Sequence, residues 1–322
     1  MSTLINSVKF LIINEKIIPQ RIDNYLFTKF KKIPKSMIYR ILRTGQIRVN
    51  KKRILPKYKL QNKDVIRIPP IICNNIDINI NKKKISNNEI HQLSKIVLFE
   101  DDHLLVINKP SGIAVHGGSG IHTGIIEKFR LSRPCNKYLE LVHRIDKSTS
   151  GILIIAKKRS SLHSLHQQLR EKKIKKTYTA LVHGNWPVHI KIVQLPLLKK
   201  NSSLSKDKNR VYVHKLGTLS ETHFKIIKNY KFNTLINAYP ITGKTHQIRV
   251  HTAHTGYPIV FDNCYGLKSL DYKIKNKMNF HAKQRLLLHA KNITFTHPQT
   301  KIKMNIEASL DKSFQQCLNL LQ

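Results

Sequence analysis

Acidic residues are scarce in this chain. Only 18 of its 322 residues are Asp or Glu, against 58 Lys and Arg, which leaves a net charge of +40. A field of that sign draws in polyanions, nucleic acid first and acidic membrane surfaces second. Part of the excess fits a compositional drift, since the chain is rich in Ile, Asn and Lys together. Cysteine is also sparse. Cys73, Cys135, Cys264 and Cys317 stand far apart and form no C-x-x-C pair. That excludes a zinc ribbon and a disulfide framework, and it fits a reducing cytoplasm, the expected location. Long apolar runs are missing: nothing approaches the ~18 residues of a membrane span. The opening MSTLINSVKFLIINEK carries Lys and Asn within its apolar run and lacks a small-residue cleavage site, so no signal peptide is expected. No G-x-x-x-x-G-K-S/T loop occurs, no G-x-G-x-x-G opens a helix, and H-E-x-x-H is absent. Neither a nucleotide cofactor nor a metal is expected, and no membrane partner.

Apolar residues nevertheless make up 40% of the chain, enough for a sizeable core, and the length suggests two domains. Residues 1–70 form the first, with 17 Lys and Arg against Glu15, Asp23 and Asp64. Ile22, Leu26 and Phe30 recur at helical spacing, and Met37, Ile38, Ile41 and Leu42 make a second stripe, with Ser36 as N-cap and Gly45 as stop. IRVN and VIRIP read as strands around the turn NKKR. Lys35, Arg40, Arg43, Lys51, Lys52 and Arg53 then form a basic face suited to RNA. Residues 71–94 are Asn-rich and without clean period, which reads as a linker. Residues 95–322 form a second domain in which strand-like runs outnumber helices. SLHSLHQQLREKK, capped by Ser160 or Ser161, is the one clear helix. The fold class expected is α+β, a small helix–helix–β unit followed by a mainly antiparallel mixed-sheet domain.

Four stretches carry candidate chemistry. In LVHRIDKSTSGILIIAKK, Asp146 is the only acid between Leu141 and Arg170, and it sits in a Ser/Thr/Gly loop between two strands. Such a loop is a rigid platform for a functional side chain, although on this segment alone Asp146 reads equally well as a turn cap. NKPSGIAVHGGSG is glycine-rich where the backbone must approach RNA or a neighbouring loop closely. KKTYTALVHG places Tyr178 in a strand, where its ring can stack on a base or fill the core. ITGKTHQIRVHTAH reads as a strand with the donors Lys244, His246, Gln247, Arg249 and His251. The pairs His163/His166 and His251/His254 lack cysteine neighbours at ligand spacing and read as core or RNA-facing histidines. A binding protein without catalysis, for RNA or DNA, stays open on charge alone; DNA binding leaves the carboxylate loop unexplained.

Taken in order, these segments resemble one family. HRIDKSTSG looks like the H-R-L-D-x-x-T-S-G signature of RluA-type pseudouridine synthases. NKPSGIAVHGGSG, KKTYTALVHG, TGKTHQIRVH, GYPIVFDNCYG and RLLLHA resemble its other segments. Residues 21–54 resemble an S4 RNA-binding domain. The similarity covers nearly the whole chain apart from 71–94 and an insert near 266–283. It implies an isomerase that converts uridine in RNA to pseudouridine without any cofactor. It also implies that Asp146 is the catalytic aspartate, that Arg144 enters the RNA, that Tyr178 stacks on the flipped base and that Arg249 pairs with the aspartate. Ile145, Lys147-Ser148 and Lys244 depart mildly from the family pattern. Within the family the likeness is greatest to members acting on the large ribosomal subunit. The partner expected is therefore 23S ribosomal RNA or a large-subunit assembly intermediate, met by a monomer.

Overall fold

The computed structural model describes residues 7–14, 19–30, 33, 35–71, 85–117, 123–136, 138–199, 210–277 and 284–321. They fall into two compact units, Met1–Lys84 and Ile85–Gln322. The first holds β1 (Lys9–Ile12), α1 (Ile22–Lys29), α2 (Lys35–Arg43), β2 (Arg48–Val49), β3 (Lys52–Arg53) and β4 (Val65–Ile68). The sheet order is β1-β4-β2-β3, antiparallel throughout. Ile22 and Leu26 lie one turn apart on α1 and are fully buried with Ile38, Ile41 and Leu42 of α2 and Ile66 and Ile68 of β4. The two stripes read from the sequence are thus the core. Ser36 falls inside α2, which begins at Lys35, so the cap expected there is corrected. Gly45 turns the chain after α2 with φ of 71°, a conformation glycine adopts without strain.

The second unit is built on a mixed sheet. Its path is β11 (Val211–Val213), β10 (Ile192–Lys199), β12 (Thr218–Asn229), β13 (Asn233–Pro240), β9 (Lys175–His183), β14 (Leu288–Thr296), β8 (Ser150–Ala156), β6 (Leu104–Lys109) and β5 (Val97–Glu100). β7 (Glu140–Leu141) pairs with β8, and β15 (Lys303–Glu307) with β14. Among the described pairings only β8 with β14 is parallel, which matches the mainly antiparallel α+β fold expected. β6 and β8 are buried on both faces. Leu105, Ile107, Leu153 and Ile155 pack under α4 (Ile125–Ser132), while Leu104, Val106, Ile152 and Ile154 pack with Leu165 of α5 (Arg159–Arg170). Their continuous apolar runs follow from that double burial.

Helices are more numerous than the sequence suggests. Of the segment 71–94, expected to be a linker, residues 72–84 lie outside the described residues. Asn87–Lys95 instead form α3. Ser86 Oγ accepts from the Glu89 amide at 3.2 Å, and Glu89 Oε2 accepts from the Ser86 amide at 3.3 Å. This capping box starts the helix, and Leu93 anchors it in the core. α5 begins at Arg159, with Lys158 in the cap position and Ser161 buried. Gln247–His254, expected to be a strand, form α6. α7 (Lys268–Lys277) and α8 (Lys312–Leu320) complete the unit.

Gly151 stands where β8 meets both of its neighbours. It pairs with Lys109 of β6 on one side and Ala290 of β14 on the other. Its φ is 108°, and a Cβ would collide with the Ala290 backbone. Gly151→Ala should therefore destabilise the protein by about 2–5 kcal/mol, combining backbone strain with overpacking. Denaturant unfolding read through its midpoint checks this.

Candidate active site

The loop between β7 and β8 is tied down from below. Lys109 is fully buried, and its Nζ donates to the carbonyls of Pro110 (2.7 Å), Ile113 (2.9 Å) and Lys147 (3.3 Å). Three donors thus meet three acceptors. Burial lowers the Lys109 pKa to about 7, while the Asp146 charge acts in the opposite direction. The Gly112 amide donates to Lys147 O at 2.8 Å, and Ser111 Oγ donates to Ser148 O at 2.6 Å. The glycine-rich NKPSG segment approaches this neighbouring loop, one of the two roles expected of it. Within the loop the Thr149 amide donates to Asp146 O at 3.1 Å. Bonds to the carbonyls of Asp146, Lys147 and Ser148 fix where the Asp146 side chain emerges.

That side chain meets Arg249. Arg249 Nη1 donates to Asp146 Oδ2 at 3.2 Å. Its Nε and Nη2 donate to Asp262 Oδ2 (2.8 Å) and Oδ1 (2.7 Å), a two-pronged pair. Asp262 Oδ1 also accepts from the Cys264 and Tyr265 amides. Burial works against the Arg249 charge, but the bonds and field of Asp262, with Asp146, raise its pKa overall. The Tyr265 ring lies 5.1 Å from the guanidinium carbon. Arg249 comes from the first turn of α6. There the side chain of Gln247 accepts from Thr242 Oγ1 (2.7 Å) and the Lys244 amide (3.0 Å), pinning the loop that enters the helix.

Tyr178 stands on β9 between two small neighbours, Ala238 of β13 and Ala290 of β14. Its ring packs against the apolar clusters on both sides. Burial, with the Asp146 charge added, raises the pKa of its phenol. Asp146, Arg144, Tyr178, Lys176, His246 and Arg249 line one cleft of about 380 Å³. Burial lowers the Lys176 pKa, and burial followed by the Lys176 charge lowers that of His143 to about 3. His143 Nε2 accepts from the Ile154 amide at 3.2 Å, as a neutral ring does.

The structure therefore brings Asp146, Arg144, Tyr178 and Arg249 together. In the first unit Arg40, Arg43 and Arg53 gather around a groove with Tyr39 and Leu55, and Arg53 Nη2 donates to Arg43 O at 3.0 Å. Lys51, on the adjoining turn, and Lys52, which opens β3, are exposed. Lys35 opens α2, and its side chain lies outside the described residues. His166 Nε2 lies 3.1 Å from Val142 O and His251 Nε2 lies 2.8 Å from Ser220 Oγ, so both ring nitrogens face protein groups. Among the described residues no group of three His, Cys, Asp or Glu side chains is placed to hold a metal, and no helix is long and apolar enough to cross a membrane. Asp262 and Tyr265 are not singled out by the sequence. Their signal is the segment GYPIVFDNCYG, which stands out as a block and gives neither residue a role.

Comparison with known proteins shows the family of the chain. The RNA pseudouridylate synthase family model matches residues 103–254, and the S4 domain model matches residues 20–66. The ribosomal large subunit pseudouridine synthase C of Buchnera aphidicola subsp. Schizaphis graminum is 54% identical over 320 residues, 98% of each chain. That of Escherichia coli (strain K12) is 49% identical over 322 residues, 100% of this chain and 99% of its own. The chain belongs to the RNA pseudouridylate synthase family. It is an RNA pseudouridine synthase, an isomerase, with an S4 domain at its N-terminal side. The fold of human RNA pseudouridylate synthase domain containing 4 superposes with a TM-score of 0.59 at 24% identity, over 73% of this chain and 96% of that one.

The two carboxylates around Arg249 differ in exposure, 0% for the Asp262 side chain and 21% for Asp146. Asp262→Asn should destabilise this synthase by about 3–5 kcal/mol, since it removes the buried countercharge of the guanidinium and leaves only the partly exposed Asp146 to neutralise it. Asp146→Asn should change stability far less. Parallel urea titrations of the two variants test the difference.

Proposed function

We propose that this protein isomerises uridines of 23S ribosomal RNA to pseudouridine, with Asp146 as the catalytic carboxylate. The observation that carries the reading is the placement of Asp146 in the Tyr178-lined cleft, hydrogen-bonded to Arg249. The substrate follows from relatives at 49–54% identity over nearly full length, named as large-subunit synthases. Uridine stacked in RNA is out of reach of a recessed carboxylate, so the nucleotide turns out of the helix into the cleft, at about a few kcal/mol. Exposed Arg144 fills the space it leaves, and Tyr178 stacks on the base. The N1–C1′ bond breaks, the uracil turns, and C5 bonds to C1′. The proton lost from C5 is balanced by one gained at N1. Arg249 orients the Asp146 oxygens for covalent or proton chemistry at the nucleotide.

We assign residues 1–70 to positioning and residues 95–322 to chemistry. Arg40, Arg43, Lys51, Lys52 and Arg53, with Lys35, meet phosphates, which set register rather than sequence. A ribosomal RNA partner implies action in the cytoplasm. Two outcomes are expected. Asp146→Asn abolishes pseudouridine formation in unmodified large-subunit rRNA while RNA affinity stays within about twofold; carbodiimide-dependent reverse-transcription stops read the first, filter binding the second. Surviving turnover would sink the assignment. Arg43→Ala lowers the slope of log affinity against log salt by about 1, as loss of one phosphate contact does.

A further inference from the structure

His246 is a polar side chain of the cleft with no task in the pairing of Asp146 with Arg249. It precedes α6 in a left-handed backbone conformation, with φ of 54°. Its two ring nitrogens face different partners. Nδ1 lies 2.8 Å from the Tyr265 hydroxyl, and Nε2 lies 3.8 Å from Asp146 Oδ2. The Tyr265 oxygen already accepts from the Val211 amide at 2.9 Å. Besides a second lone pair, the phenol keeps its own proton to donate. Among the described residues His246 Nδ1 is the acceptor facing it. Nδ1 is then a lone pair, and a neutral ring with Nδ1 as acceptor carries its hydrogen on Nε2. Burial lowers the pKa of the ring, and Arg249 and Arg144 act in the same direction against Asp146 and Asp262.

The Nε2 hydrogen is directed into the cleft beside the carboxylate, too far from it for a direct bond. We propose that His246 supplies a neutral N–H donor to uracil O2 as the glycosidic bond breaks. The electron pair of the N1–C1′ bond leaves with the base and spreads onto its carbonyl oxygens. O2, on the carbon next to N1, is the carbonyl oxygen of the base nearest to C1′. The donor shares its proton without transferring it, so His246 begins and ends neutral. A neutral imidazole suits this task, because an imidazolium would pair with Asp146 instead. Tyr265 is the positioning residue that selects the tautomer, and its ring is itself packed beside Arg249. One tyrosine thereby ties the donor to the clamp that holds the carboxylate.

This inference rests on Asp146 being the catalytic carboxylate, and two measurements keep it separable from that reading. The first uses the protein without RNA. Nitrogen-15 NMR of labelled histidine should show His246 neutral at pH 7 with hydrogen on Nε2, and Tyr265→Phe should populate the other tautomer. Hydrogen on Nδ1 in the wild type would overturn the proposal whatever Asp146 does. The second compares large-subunit rRNA fragments carrying uridine or 2-thiouridine at a modified position, in single turnover. His246→Asn keeps a residue that tolerates left-handed backbone but loses the reach of Nε2. It should slow the reaction of uridine by about 100-fold, the lower range for one lost anion-hole donor, with unchanged RNA affinity. Sulfur is a weaker acceptor, so the wild type should discriminate between the two substrates and His246→Asn should not. Equal discrimination by both proteins, or a wild-type rate in the variant, would refute the contact with O2.

Discussion

Arg249 carries one positive charge into the interior and meets two carboxylates there, with unequal shares. Asp262 takes two of its N–H groups in a fully buried pair, and Asp146 takes one from a partly open position. The inequality matters physically. A buried guanidinium left without a partner is strongly destabilising. Because Asp262 alone meets that need, the proposed approach of Asp146 to a nucleotide would not strand the cation. The pair that stabilises and the pair assigned to the proposed chemistry are therefore different pairs on the same arginine.

The same division runs through the loop that carries Asp146. Its backbone is immobilised by Lys109, Gly112 and Ser111, none of which faces the cleft. A lysine buried among carbonyls is an unusual foundation, since burial disfavours its charge. It persists because three acceptors surround it and a carboxylate lies close by in the loop above. Meanwhile a net charge of +40 pulls polyanions toward a cleft in which Asp146 is the one acid among the lining residues, beside Arg144, Lys176 and Arg249. The long-range field and the carboxylate at the centre of the proposed chemistry thus have opposite signs, and separate residues carry them.

How far the sequence is legible depends on what each element is made of. Ile22, Leu26, Ile41 and Leu42 are legible because an exposed helix must show one apolar stripe. LLVI and ILII read as strands because double burial leaves them no polar face. IRVH misleads: alternating apolar and basic residues mimic a half-buried strand, whereas in the structure both kinds are buried in α6, the Arg against acids and the His against Ser220. The helix at 87–95 is announced by Ser86 and Glu89 at capping spacing, but a single apolar anchor, Leu93, leaves no period to notice. Asp146 and Arg249 stand out through their motifs. Asp262 does not, because a lone acid in a turn has no local signature. Its role exists only once residues 146, 249 and 262 are brought together.

That last dependence has a consequence for the timing of synthesis. Asp146 and Arg249 are 103 residues apart in the chain. The loop bearing Asp146 leads into β8, whose Gly151 rests on Ala290 of β14, a strand made later than both Asp146 and Gly151. A nascent chain that has reached residue 270 already contains every side chain named in the cleft. It still lacks the strand that lies beside both Tyr178 and Gly151. A chain arranged this way closes its cleft with a strand made after Asp146, Tyr178 and Arg249, so an RNA met earlier by the growing chain meets the S4 domain before it meets a completed cleft.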